Sequence, residues 1–214
     1  MNYKNLYDNE SGWIRPKDKN GVWRKKFDPY EYKHGFVESN AAQMTWFVPH
    51  DIHGLASLMG GNLKAVEKLE KQFKDASKLN FTSGTSHSVE LHPEYSRIPI
   101  NYGNQPSIQT AFIFHKLGYP HLSDYWSKEI IKKAFSGLSP NSGYNGDEDQ
   151  GIMSSISVLM KIGLFQLDGG VSISPEYQIV SPVFDKVKIK LHSDYYSGKY
   201  INICLLYTSP SPRD

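Results

Sequence analysis

Apolar residues recur at helical spacing in five stretches of this chain, and the sequence between them is too long and too rich in Asn, Asp and Gly for simple turns. Leu55, Leu58 and Met59 continue a helix that opens near Asn40 and is interrupted or bent around Pro49. Asn62 is placed to cap a second helix, with a stripe of Leu63, Val66, Leu69 and Phe73. Ile108, Ala111, Phe112 and His115 mark a third, closed by Gly118 with Pro120 beyond it. Ser123 starts a fourth, with Tyr125, Trp126, Ile130, Ala134 and Phe135 on one side. Ile152, Ser155, Ile156, Leu159 and Met160 form the last, which ends at Gly163. Past Gly169-Gly170 the period drops to two, and Val171-Ser172-Ile173 and Val187-Lys188-Ile189-Lys190-Leu191 alternate as half-buried strands do. The chain reads as mainly α, with a short β region after the helices. The first forty residues are irregular, with Trp13, Trp23 and Phe27 as packing anchors.

Charge and cysteine content exclude several classes. The 24 basic and 22 acidic residues are spread along the chain for a net +2, which gives no case for a nucleic-acid partner. No apolar run approaches the roughly 20 residues that span a bilayer. The opening Met1-Asn2-Tyr3-Lys4-Asn5 is polar, so a secretory signal of an exported parent is expected outside this chain. One cysteine, Cys204, precludes an internal disulfide and a cysteine-based metal cluster. From Cys204 to Asp214 neither period continues, and the tail resembles a translated adaptor. Aromatics, at 13%, suit the packing of sugar C–H faces on rings, although a core absorbs most such residues.

Three loop segments concentrate polar groups beside helix ends. One runs from Gly35 to Asp51 and includes Glu38, Trp46, Phe47, His50 and Asp51. The next is Asn101-Tyr102-Gly103-Asn104-Gln105-Pro106-Ser107, and the third is Tyr144-Asn145-Gly146-Asp147-Glu148-Asp149-Gln150-Gly151. Two readings of the consecutive carboxylates are open locally. They complement the positive end of the following helix, or Asp147 and Asp149 share a pocket where one activates water. Asn104 and Gln105 supply neutral oxygens of the kind calcium accepts. Burial of Glu38 against Phe36, Trp46 and Phe47 would keep it protonated, as a general acid requires. His50 and Asp51 would orient the acid or the sugar, or cap a turn.

Taken together, these segments resemble glycoside hydrolase family 92, the exo-acting α-mannosidases. The family's Val-Glu-Gly-Asn-Ala start, running into Trp-Phe-Val-Pro-His-Asp, is similar to residues 37–51. Its Gly-Asn-Glu-Pro-Ser resembles Gly103–Ser107, its Gly-Asp-Glu-Asp-x-Gly resembles Gly146–Gly151, and its Ser-Pro-x-Phe-Asp resembles Ser181–Asp185. The resemblance implies the C-terminal part of an α/α toroid, thus a partial toroid, over residues 1–168 and a C-terminal β region over 169–203; the tail over 204–214 is read as foreign from its lack of pattern. The resemblance also implies removal of terminal α-linked mannose by one-step inversion, with Glu38 as acid and Asp147 and Asp149 as the base carboxylates. Trp46, His50, Asp51 and Tyr102 would contact the sugar. Ca2+ would be held by Asn104, Gln105, Asp147 and Asp149. Gln105 stands where most members carry Glu, so this position brings an amide oxygen without charge. Location is expected to be secreted, periplasmic or cell-surface, and the partner a mannose-containing glycan. Two alternatives are a toroid glycosidase for another α-linked sugar and a non-catalytic carbohydrate-binding protein. The three carboxylates together argue against the second, since a pure binder has no need of all of them.

Overall fold

The structure, a computed structural model, describes residues 1–82, 97–170 and 172–204. Six helices dominate: α1 (Ala41–Met44), α2 (Ile52–Leu58), α3 (Asn62–Ser77), α4 (Thr110–Lys116), α5 (Pro120–Ala134) and α6 (Ile152–Ile162). Three two-stranded antiparallel pairs flank them. These are β1 (Tyr7–Asp8) with β2 (Trp13–Ile14), β3 (Leu164–Phe165) with β4 (Gln178–Ile179), and β5 (Lys186–Lys190) with β6 (Tyr200–Cys204).

The core forms where α3, α4 and α5 meet. On α3 the buried stripe is Ala65, Val66, Leu69, Gln72, Phe73 and Ala76, the spacing of one helix face. Leu63, expected in that stripe, is exposed, as is Tyr125 on α5. Phe73 sits at the centre, its ring 5.3 Å from Phe114, 5.2 Å from Trp126 and 5.8 Å from Phe81. A short Leu117–Tyr119 connection, with Gly118 at φ 93°, folds α4 back on α5 as a helical hairpin. Pro120 lies beyond the end of α4, as expected, and is also the first residue of α5, where a missing N–H costs nothing. Ser123 lies inside α5, and its hydroxyl accepts the His115 N–H at 2.8 Å.

Local chemistry sets the other helix boundaries. Around Pro49 the helix is interrupted, one of the two outcomes expected: α1 and α2 are separate, and Asp51 caps α2 by accepting the Gly54 N–H at 3.0 Å. Asn62 does not cap α3: Gly61 holds that position at φ 108°, and Asn62 Nδ2 donates to the Leu117 carbonyl at 3.2 Å. The strand expected at 171–173 does not form over the part described, since Ser172 and Ile173 lie in an exposed bend, and Val171 falls outside the described residues. The pairing that does form, β3 with β4, crosses the 168/169 boundary and puts Phe165, Leu167 and Val180 in the main core. The expected 187–191 strand forms as β5. Of the tail, Cys204 closes β6 opposite Lys186, and residues 205–214 fall outside the described residues.

The N-terminal segment is fastened to α3 by Lys68, which donates to the Gly12 carbonyl and lies 3.3 Å from the centre of the Trp13 ring. Burial pushes its ammonium down to about 7, whereas the carbonyl and the ring face both favour the charged form.

Candidate functional site

The three polar loop segments meet, and backbone and amide groups hold them together. Asn104 is the central clip. Its Oδ1 accepts the Gln105 N–H at 2.8 Å, and its Nδ2 donates to the Glu38 carbonyl at 2.7 Å. The Asp147 N–H donates to the Gly103 carbonyl at 3.0 Å, and Gln105 Nε2 donates to Asp149 Oδ2. Residues 38, 103–105 and 147–149, distant in sequence, therefore form one cluster at the entrances to α1, α4 and α6.

Each loop is positioned by buried polar groups. Asn40 caps α1 by accepting the Gln43 N–H at 3.0 Å, and its amide donates to the Ile98 carbonyl at 3.0 Å. Gln43 donates to the same carbonyl at 2.8 Å. Gln72, on the buried face of α3, donates to the Ala42 carbonyl at 3.0 Å and accepts from Trp46 Nε1 at 2.6 Å. Asn101 Oδ1 accepts the Gly103 N–H at 2.8 Å, which sets the turn before Asn104. These amides carry no role in the sequence reading. Gln72 was the visible clue, as a polar residue at a stripe position between Leu69 and Phe73.

The carboxylate run divides its labour. Glu148 Oε1 accepts the Ser154 N–H at 3.1 Å and its carbonyl accepts the Met153 N–H at 3.4 Å, so Glu148 serves the first turn of α6. Glu148 thus fits the helix-end reading of the run, while Asp147 through its backbone and Asp149 through its side chain join the neighbouring loop. Backbone strain gathers at the same place. Glu38, Asp149 and Gln150 have φ of 51°, 45° and 59°, three of the six non-glycine residues at positive φ among the described residues. A left-handed conformation costs about 1–2 kcal/mol for an L-residue, and such strain concentrates at functional sites.

Several expected roles change. Glu38 is exposed in this chain, not buried against Trp46 and Phe47. Trp46 is buried, with its indole N–H committed to Gln72, and so packs the core instead of presenting a face to sugar. Tyr102 is fully buried; its hydroxyl accepts the Ala111 N–H at 3.1 Å, and burial pushes its phenol well up. Asp51 caps α2 and accepts the Tyr3 hydroxyl at 2.7 Å, which holds its carboxyl below the usual range. His50 is exposed, its ring edge-on to Tyr3 at 6.0 Å.

Among the described residues, no three His, Cys, Asp or Glu side chains gather as a metal-binding group. The oxygens that the cluster offers, two carboxylates with neutral amides, are nonetheless of the kind a hard cation takes. Asn104 contributes less than its type suggests, because Oδ1 has already accepted one hydrogen bond.

Asn104→Ala is expected to lower stability by about 1–3 kcal/mol, since it leaves the Glu38 carbonyl and the Gln105 N–H without their partner. Urea unfolding checks this, and an unchanged midpoint would show that the clip contributes nothing.

A helical scaffold presenting loop-borne carboxylates and amides beside one another defines a protein with an acidic, oxygen-lined site. A model of the glycosyl hydrolase family 92 catalytic domain matches residues 1–209. The chain belongs to glycoside hydrolase family 92. It is 29% identical over 191 residues to a protein of Arthroderma benhamiae described as an uncharacterized secreted glycosidase, covering 84% of this chain and 21% of that protein. The fold is similar to a family GH92 α-mannosidase from Bacteroides thetaiotaomicron, with a TM-score of 0.74, 24% identity and coverage of 97% of this chain and 25% of that one. It is also similar to the family GH92 inverting mannosidase of the same organism, with a TM-score of 0.72, 30% identity and coverage of 97% and 27%. The chain thus spans about a quarter of the length of these relatives. No helix among the described residues is long and apolar enough to cross a membrane.

Proposed function

We propose that the family-length protein carrying this segment removes terminal α-linked mannose from glycans by one-step inversion. Glu38 gives its proton to the glycosidic oxygen as the bond from that oxygen to the anomeric carbon breaks. Asp147 or Asp149 takes a proton from the water whose oxygen bonds to the opposite face of that carbon. The observation that carries this reading is the clipping of Glu38, Gln105, Asp147 and Asp149 into one cluster through Asn104 and Gly103. Family membership and the 30% identity to an inverting mannosidase support it.

Gln105, Asp147 and Asp149, with the remaining lone pair of Asn104 Oδ1, would hold Ca2+. When bound, the ion supplies positive charge that engages sugar hydroxyls. The α4–α5 hairpin is read as one repeat of an α/α toroid covering residues 1–168. Secretion is read from the Arthroderma benhamiae relative, and the glycan substrate is met outside the cytoplasm.

The test is product stereochemistry. Proton NMR of a reaction on an α-mannoside is expected to show β-mannose first, and a chelator is expected to lower the rate until calcium is restored. If α-mannose appears first, the inverting mechanism is wrong. If activity is indifferent to chelation, the calcium assignment fails. Binding without any release would instead make the protein a carbohydrate-binding member.

A further inference from the structure

Side-chain amides join two segments of the site: residues 38–46, which carry Glu38 and α1, and residues 98–109, which carry Asn104 and Gln105. Asn104 holds the Glu38 carbonyl, and Asn40 and Gln43 share the Ile98 carbonyl. Gln109 Nε2 donates to the Trp46 and Pro106 carbonyls at 3.3 and 3.1 Å. Each of these four amides belongs to one of the segments that it joins. Gln72 does not. It reaches both from α3, donating to the Ala42 carbonyl at 3.0 Å and the Pro99 carbonyl at 3.4 Å, while its Oε1 accepts Trp46 Nε1 at 2.6 Å.

Position 72 is 2% exposed and lies in the apolar stripe of α3, between Leu69 and Phe73. If packing alone mattered, a leucine there would bury apolar surface without the desolvation of an amide. The groups that Gln72 meets explain the amide. The Ala42 carbonyl stands at the end of a four-residue helix, and the N–H that would normally serve it, that of Trp46, goes to the Gln43 carbonyl at 3.3 Å. Without Gln72, a buried carbonyl and a buried indole N–H would both lose a partner. The amide is mounted next to Phe73, whose ring packs on Phe114 and Trp126 at the centre of the core. Two of its three bonds hold the Glu38 segment and the third holds the segment that leads to Gln105.

We infer that Gln72 is a positioning residue for the reaction: it sets the spacing between the segment that carries Glu38 and the segment whose Gln105 aims Asp149. The inference rests on the reading of the Glu38–Asp149 cluster as the catalytic centre. Inversion needs acid and base roughly 6.5–9.5 Å apart. A misplacement of about 1 Å, caused far from the chemistry, can cost about 10²-fold.

The family-length protein with Gln72→Met, Gln72→Glu and Val66→Ala provides the test. Val66→Ala is the control, a truncation on the same buried face of α3 that removes no hydrogen bond. Substrates are an alkyl α-mannoside and α-mannosyl fluoride, whose leaving group needs no proton. Gln72→Met is expected to lower kcat for the alkyl mannoside about tenfold or more, with KM nearly unchanged. The fluoride should lose much less, because most of the lost bonds hold the acid segment. Gln72→Glu keeps an acceptor for Trp46 and, protonated in this buried site, one donor, so it should recover part of the loss. It also takes the place of Gln72→Met should that variant fail to fold. Val66→Ala should keep the wild-type ratio of the two rates. Amide hydrogen exchange over residues 38–46 and 98–105 should be faster in Gln72→Met than in Val66→Ala. An unchanged ratio of the two rates, as in an enzyme that is merely less stable, would overturn the inference. Unchanged exchange in the two segments would overturn it as well. Absence of turnover by the unmodified protein, with exchange still raised in Gln72→Met, would sink the catalytic reading and leave the hold of Gln72 on both segments standing.

Discussion

Glu38→Gln is expected to slow hydrolysis of alkyl α-mannosides by about 10²–10⁴-fold, the contribution of a positioned general acid. An alkoxide leaves poorly without a proton, and glutamine keeps the size of the side chain while removing the proton donor. Fluoride leaves without protonation, so α-mannosyl fluoride should lose far less. Equal losses on the glycoside and the fluoride would assign Glu38 a binding role instead.

Asp149→Ala is expected to cost about 10²–10⁴-fold as well, and to be rescued by azide with β-mannosyl azide as product. The argument rests on orientation. Asp149 Oδ2 accepts from Gln105, and the residue is held at φ 45° in the strained turn before α6. If Asp149 is the base of the proposed reaction, Gln105 Nε2 is the group that aims its carboxylate. The Asp147 N–H donates to the Gly103 carbonyl, which sets the chain at that point. Asp147→Ala should be impaired without azide rescue. Rescue of Asp147→Ala alone would exchange the two assignments.

The helices were legible because apolar periodicity survives averaging over a turn. Val66, Leu69 and Phe73 are buried as their spacing requires. Boundaries were less legible because local chemistry decides them, as with Pro120, which reads as a stop or a start depending on which helix claims it. The short strands were least legible. Ser172 and Ile173 alternate like a strand but pair with no strand among the described residues, whereas Gln178–Ile179 is paired because β3 lies opposite. At the site, residue identities were readable from the motifs and surroundings were not. Trp46 and Tyr102 look like sugar platforms in sequence, yet each is consumed by packing with residues far along the chain, which periodicity cannot reveal.

The Asn104 clip grips the main chain at position 38, not the side chain. Place and chemistry at this position are thus inherited separately. Exchange of the carboxyl group leaves its anchor intact, whereas change at 104 displaces whatever residue stands at 38. Divergence within such a loop can therefore remove or restore the carboxyl group in one step while the surrounding architecture persists. Variation at 104 is the more constrained of the two, since no backbone group can substitute for an amide that joins two loops at once.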